Sequence, residues 1–239
     1  MKRFILPMCV LFLSLRMVSA AGVADALLFS SLKPGDAIAS PFRLITLPKI
    51  DPNHFELVED EGKTVLRVTS AASAATVGIP LTSPTAPRVQ LEWRWKVSNA
   101  LINANMDEKS GDDFAARLYV FFDAPLSSLS FFDRTKIRLA RLLWGADVPT
   151  AVICYVWDNQ HPVGYSRFSP FTSRVHEIVM RSGTADINAW VTESRDVAAD
   201  FKKAFGVEAP AITGVAVGSD TDQTRESVRT WFGDVVLKP

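Results

Sequence analysis

The stretch Val89-Gln90-Leu91-Glu92-Trp93-Arg94-Trp95-Lys96-Val97 carries an apolar residue at every odd position and a polar one at every even position. Successive side chains of a β-strand point to opposite faces, so this alternation predicts a strand with one face in a core and the other toward water or a binding groove. Phe114 to Asp123 has the same phase: Phe114, Ala116, Leu118, Val120 and Phe122 share one face, Ala115, Arg117, Tyr119 and Phe121 the other. Working outward, further strands are expected at Phe42 to Leu47, Phe55 to Glu59, Thr64 to Thr69, Thr76 to Leu81, Ala151 to Trp157, Arg174 to Arg181, Ile212 to Ser219 and Trp231 to Lys238. Several are bounded by Gly, Pro, Asn or Asp, whose backbone preferences set turns.

Many strands with few helices predict a mainly β fold. The architecture expected is a β-sandwich, jelly-roll-like in the concanavalin or galactose-binding manner, rather than a parallel α/β sheet. Two segments break the pattern. Leu129 to Trp144 sets Phe132, Leu139, Leu142 and Leu143 to one side and Arg134, Arg138 and Arg141 to another, an inserted amphipathic helix stopped by Gly145. Asp196 to Phe205 reads as a short packing helix, with Asp196 as N-cap, Phe201 and Phe205 at i, i+4, and Gly206 as the stop. The Ala-, Ser-, Thr- and Pro-rich stretch from Ser70 to Pro87 is expected to hold an edge strand and loops.

At the amino terminus Lys2 and Arg3 precede an apolar run from Phe4 to Leu15, and Val18-Ser19-Ala20 supplies small-x-small spacing. This reads as a signal peptide, residues 1–20, cleaved after Ala20, leaving a single domain over residues 21–239. Nothing later in the chain is apolar for long enough to cross a bilayer. The full 239 residues balance 26 Lys+Arg against 26 Asp+Glu, with 48% hydrophobic and 22% charged residues. These proportions exclude disorder, and the lack of a basic excess argues against a nucleic-acid partner. Loss of the first 20 residues removes three cations and Cys9, so the expected mature chain is mildly acidic, has Cys154 alone, and lacks an internal disulfide. Its apolar surroundings make Cys154 a small buried hydrophobe.

Four blocks together resemble the bacterial exported family of unknown function DUF3047. They are Trp93-Arg94-Trp95-Lys96-Val97; Asp112-Asp113-Phe114-Ala115-Ala116-Arg117-Leu118-Tyr119-Val120; Cys154-Tyr155-Val156-Trp157; and Ser219-Asp220-Thr221-Asp222-Gln223-Thr224 followed by Gly233-Asp234. Arg195-Asp196-Val197 with Asp200-Phe201 and Phe205-Gly206 resembles a further block, although Asp196 stands where the pattern more often has Asn. The resemblance spans roughly Phe42 to Leu237. It implies an exported β-rich domain and brings no established activity.

Candidate chemistry therefore comes from the residues themselves. There is no Gly-x-Ser-x-Gly elbow, His-Glu-x-x-His helix, phosphate-binding glycine loop or Cys-x-x-Cys pair, and His54, His161 and His176 stand apart from one another. Asp112, Asp113, Asp220, Asp222 and Asp234 are hard oxygen donors near strand ends. They are candidates for a structural calcium, or for turn-capping and pairing with Arg117, Arg225 or Arg229. Arg94, Lys96, Arg117, Tyr119, Tyr155 and Trp157 could share one sheet face, offering the aromatic surfaces and charged donors that sugar recognition needs, or serve as core and solvated surface. The leading expectation is an exported binding domain for a carbohydrate or envelope glycan, without catalysis. Competing expectations are a glycan hydrolase or lyase using two of the five aspartates, and an envelope interaction protein docking through the Leu129 to Trp144 helix.

Overall fold

The computed structural model describes residues 24–85, 90–124, 126 and 149–238. The expected signal peptide and the Leu129 to Trp144 helix lie outside the described residues. Within them the strands are β1 (Ala24–Leu27), β2 (Arg43–Thr46), β3 (His54–Asp60), β4 (Lys63–Ala71), β5 (Ala74–Thr85), β6 (Gln90–Val97), β7 (Phe114–Phe122), β8 (Ala151–Asp158), β9 (Ser166–Phe168), β10 (Val175–Ser182), β11 (Val191–Asp196), β12 (Ile212–Asp220) and β13 (Ser227–Lys238). One helix, α1 (Val197–Phe205), follows β11. No helix among the described residues is long and apolar enough to cross a membrane.

The strands form two sheets. One has the order β11-β6-β13-β4-β3, with β1 also paired to β13; the other runs β2-β5-β12-β7-β8-β10-β9. Pairing is antiparallel except for β8 with β10, which run parallel. The alternation in β6 now has its physical cause. Leu91, Trp93, Trp95 and Val97 are fully or almost fully buried, while Gln90, Glu92, Arg94 and Lys96 lie on the outer face of the six-stranded sheet. Across the sandwich they meet β8: Trp93 packs on Tyr155 with centroids 5.1 Å apart, and Trp95 on Trp157 at 6.0 Å. Such aromatic pairs add about 0.5–1.5 kcal/mol each beyond the burial of their area. One apolar core runs through both sheets, from Leu66 and Phe232 to Leu118 and Val217.

The short helix forms as its caps predict. Asp196 accepts the Ala199 N–H at 2.9 Å, and Gly206 ends the helix at φ 72, a left-handed conformation that favours glycine. The expectation for Ser70 to Pro87 needs correction. β5 is an interior strand between β2 and β12, where Gly78 lets it approach Ala216 closely, and β2 and β9 are the edges. Pattern reading missed β1, β9 and β11. The first two are short, and β11 alternates Thr192, Ser194 and Asp196 outward with too few apolar partners to stand out.

Candidate functional site

β7, β8 and β10 place Tyr119, Cys154 and Glu177 in one cross-strand row on the outer face of the seven-stranded sheet, because their neighbours Leu118, Tyr155 and Ile178 point into the core. Arg117 lies on the same face two residues before Tyr119. Its Nε donates to Asp220 Oδ1 at 2.8 Å, its Nη2 reaches Asp220 Oδ2 at 2.6 Å, and its Nη1 donates to the Tyr119 hydroxyl at 3.3 Å. The Asp112 carbonyl accepts a further Arg117 N–H, and Glu177 Oε1 stands 4.0 Å from Nη1. The cationic group also stacks on the Phe114 ring at 4.4 Å. A bulge between Gly218 and Asp220 turns the Asp220 carboxylate toward this network and lets it accept the Phe114 N–H at 2.9 Å.

This is a buried polar island. Met106, from the loop between β6 and β7, packs with Phe114, Cys154, Val156 and Val179 and roofs it. Burial by itself would lower the Arg117 pKa, but the facing carboxylates of Asp220 and Asp112 outweigh it and hold the guanidinium protonated. Burial pushes the Glu177 carboxyl up to about 8, with Asp112 adding to the rise and Arg117 opposing it, so Glu177 is mainly neutral at pH 7. Burial raises Asp112 in the same direction and drives the Cys154 thiol well above its ordinary value. The roof itself is tied down. His161 lies between Asp158 at 2.8 Å and Asp107 at 3.2 Å, and stacks on Tyr165, whose hydroxyl also donates to Asp107.

Toward β5 and β2 the same face opens. Tyr119 and Phe121 stack nearly parallel, 6.1 Å apart at 16°, along one wall of a cleft of about 220 Å³. Exposed Ile45 and Leu47 form the facing wall, and Thr76, Ser219 and Asp220 also line the cleft.

The six residues expected to share a ligand-binding face do not share one. Arg117 and Tyr119 are together on the outer face just described. Tyr155 and Trp157 are buried on the opposite, inner face of that sheet, where Tyr155 donates to Asp200 at 2.7 Å. Arg94 and Lys96 belong to the other sheet, where both lie against Trp190, at 4.2 and 5.0 Å. Arg94 and Lys96 are apart because β6 pairs with β11 and β13, not with β7 or β8; Tyr155 and Trp157 are turned inward because the β7–β8 register sets them opposite Leu118 and Ala116 rather than Tyr119 and Arg117.

Of the five aspartates, four gather at one end of β12. Asp113, Asp220 and Asp222 each bring a carboxylate oxygen within 4.8 Å of the others, and Asp112 adjoins them through Arg117. Asp234 stands apart on β13, accepting the N–H and hydroxyl of Ser30. Oxygens of the group are already engaged: Asp220 by Arg117, Asp113 by the Gln223 and Thr224 N–H groups at 3.4 and 2.6 Å, and Asp222 by the Gln223 amide. Sequence reading missed Glu177, Phe121, Ile45 and Leu47. A charged residue inside the run Val175-His176-Glu177-Ile178-Val179-Met180 was the available signal for the first.

The blocks Asp112 to Val120, Cys154 to Trp157 and Ser219 to Thr224 thus lie on neighbouring strands β7, β8 and β12 of one sheet. No curated protein matches the sequence. Among solved structures the chain is similar to the family 11 carbohydrate-binding module of the cellulosomal cellulase Lic26A-Cel5E of Clostridium thermocellum, at 7% identity over 92% of this chain and 96% of that one, with a TM-score of 0.41. It is also similar to the native family 12 xyloglucanase from Bacillus licheniformis, at 10% identity over 91% and 97%, TM-score 0.39. Endoglucanase 3 of Trichoderma harzianum, from family GH12, aligns at 7% identity over 84% and 99%, TM-score 0.41. Residues 40–236 match the model of the family described as protein of unknown function (DUF3047), and the chain belongs to that family.

Proposed function

We propose that this protein is a non-catalytic binding domain that holds a carbohydrate in the cleft beside Tyr119 and Phe121. The observation that carries this reading is the near-parallel pair of rings on the sheet face, with Asp220 and Thr76 lining the same cleft. A pyranose has an apolar face that stacks on aromatic rings and hydroxyls that need acceptors at its edge; the cleft offers both. Asp220 is locked by Arg117, so its acceptor position is fixed before a ligand arrives, which lowers the ordering cost of binding.

Hydrolysis by paired carboxyls fits less well. Inverting or retaining cleavage needs two carboxyl groups facing the substrate. Among the described residues Asp220 is the one carboxylate lining this cleft, while Asp112 and Glu177 are buried beneath the Met106 roof. The export address in residues 1–20 belongs to the same proposal, with the working protein outside the cytoplasm; the amino-terminal sequence of protein recovered from the periplasm or medium of a bacterial host checks it, and a start at Ala21 is expected.

A glycan array, followed by calorimetry on any hit, tests the binding. Binding should release no reducing ends, and Phe121→Ala should weaken the hit about two- to tenfold, the scale of losing one stacked ring. Equal binding by wild type and Phe121→Ala, or product formation, overturns the reading.

A further inference from the structure

Two of the sequence blocks take no part in the Tyr119 cleft. Trp93-Arg94-Trp95-Lys96-Val97 and Gly233-Asp234 meet on the outer face of the six-stranded sheet, beside a second cleft of about 190 Å³. The tip of the β3–β4 hairpin folds toward β6 there: Asp60 accepts from Trp190 Nε1 at 3.0 Å and from Lys96 Nζ. Lys63 and Thr64 of the hairpin line one side of the cleft, and Arg94, Thr192, Gly233 and Asp234 line the rest.

The pairing of β13 with β6 is bulged between Phe232 and Val235, at Gly233 and Asp234. A bulge re-aims side chains, and this one has two effects. Asp234 is turned outward, where its Oδ1 and Oδ2 accept the N–H and hydroxyl of Ser30 at 2.9 and 2.6 Å, one bond each, and keep lone pairs to spare. A glycine is also set under the Arg94 side chain: a Cβ on Gly233 would stand 2.6 Å from Arg94 Cγ and 2.7 Å from its Nε. Arg94 therefore lies flat, with its guanidinium 4.2 Å from the centre of the Trp190 ring.

The guanidinium so placed is 24% exposed and makes no hydrogen bond among the described residues; the Glu61 carboxylate stands 3.6 Å from Nη1. A positioned fork with open donors and a carboxylate with open lone pairs thus line the same cleft. A vicinal diol bridges such a pair, one hydroxyl accepting while its neighbour donates. Charge around the cleft cancels, with Arg94, Lys63 and Lys238 against Glu92, Asp234 and Glu61, so a ligand ion of either sign meets a like charge.

We propose that this cleft is a second carbohydrate site, independent of the one beside Tyr119 and Phe121, and that it holds one neutral pyranose unit between Arg94 and Asp234. Its volume lies below the roughly 300–1,000 Å³ of pockets for drug-sized ligands, which limits it to a small molecule. Gly233 and Trp190 fix Arg94 before the sugar arrives, so little is spent on ordering it.

Methyl glycosides of glucose, galactose and mannose are the neutral probes, with glucuronate and glucosamine as charged counterparts. In NMR titrations of the isotope-labelled full chain to about 50 mM, at least one neutral probe should shift the Gly233 and Asp234 amides and the Arg94 Nε–H saturably. Both charged sugars should bind about tenfold more weakly. Gly233→Ala displaces a flexible side chain and leaves every charge in place, so it should keep the fold while weakening the sugar about tenfold. Arg94→Lys keeps the charge and loses the fork; it should weaken the sugar equally, and it decides the matter if Gly233→Ala unfolds. Phe121→Ala should leave these shifts unchanged, which separates this site from the other cleft. No saturable shift at Gly233 and Asp234 with any neutral probe, shifts confined to β7, an equal response to the charged sugars, or wild-type affinity in Arg94→Lys overturns the proposal.

Discussion

Arg117 grips both oxygens of Asp220, through Nε at 2.8 Å and Nη2 at 2.6 Å, joining β7 to β12 by a two-pronged ion pair on a buried sheet face. The pair takes the place of apolar packing, so its worth is felt mainly when one partner is missing. Arg117→Met should destabilise the domain by about 3–5 kcal/mol, since it strands Asp220 in a poorly solvated position. The double variant Arg117→Met/Asp220→Leu should lose much less. Urea unfolding of the four proteins of this cycle checks it, and additive losses would mean that the two residues are not coupled.

Glu177 gives the fold a pH dependence with a defined sign. Its carboxyl is raised from 4.5 to about 8 in the folded chain, so the folded state holds a proton that the unfolded state releases. The stability linked to that proton is fully present below about pH 4.5 and is lost progressively as pH climbs through about 8, by up to about 1.4 kcal/mol per pH unit. Asp112 is raised for the same reason and contributes in the same sense. Glu177→Gln, permanently neutral, should flatten this slope and raise the thermal midpoint at pH 8 relative to wild type. An identical slope in the two proteins would assign it to other groups.

Cys154 should be chemically silent. Its sulfur is fully buried, and burial raises the thiol pKa well above the ordinary value, so the reactive thiolate is scarce as well as inaccessible. Iodoacetamide labelling at pH 8 should proceed at the rate of global opening and speed up in step with urea. Fast labelling of the native protein would place the thiol at an exposed site.

Gly218 stands where β12 passes β5. An added Cβ would overlap the Ala75 carbonyl oxygen and come within 2.7 Å of Thr76 Cγ2, with the paired strand leaving little room to relax. Gly218→Ala should cost about 2–3 kcal/mol, read as a lowered urea midpoint, whereas Gly206→Ala should cost less, about 1 kcal/mol, from its left-handed backbone alone.

The Asp113, Asp220 and Asp222 group should keep its shape without a cation. A calcium ion would have to compete with Arg117 for Asp220 and with backbone N–H groups for Asp113. Treatment with chelator, then calcium, is expected to leave the thermal midpoint unchanged. A rise of several degrees on calcium addition would instead make the metal the organising charge of the group.

How far the sequence could be read depended on which interactions were local. The alternation of Leu91, Trp93 and Trp95 exposed a buried strand face, and Asp196 with Gly206 marked the helix ends, because period and capping are properties of neighbours in the chain. Sheet membership is not such a property. Nothing in the spacing of Arg94 and Arg117 says that β6 and β7 belong to opposite sheets, and that fact dispersed the expected aromatic and cationic set. The gathering of Asp113, Asp220 and Asp222 was approached because each stands near a strand end, whereas Asp234, in a comparable setting, finds Ser30 instead. Glu177 acquires its proton from burial under Met106 and from Asp112, neither of which is near it in sequence.

The last two strands of the described residues are both interior ones. β12 lies between β5 and β7, and β13 lies between β4 and β6 while also holding β1. Each sheet therefore has a gap at its middle until the final thirty or so residues of the described chain have left the ribosome. Pairs such as β3–β4, β2–β5, β6–β11 and β7–β8–β10–β9 can form as they emerge, but the two halves of each sheet are joined only when β12 and β13 are present. Nascent chains stalled before Ile212 should be digested by protease much faster than the same chain carrying β12 and β13.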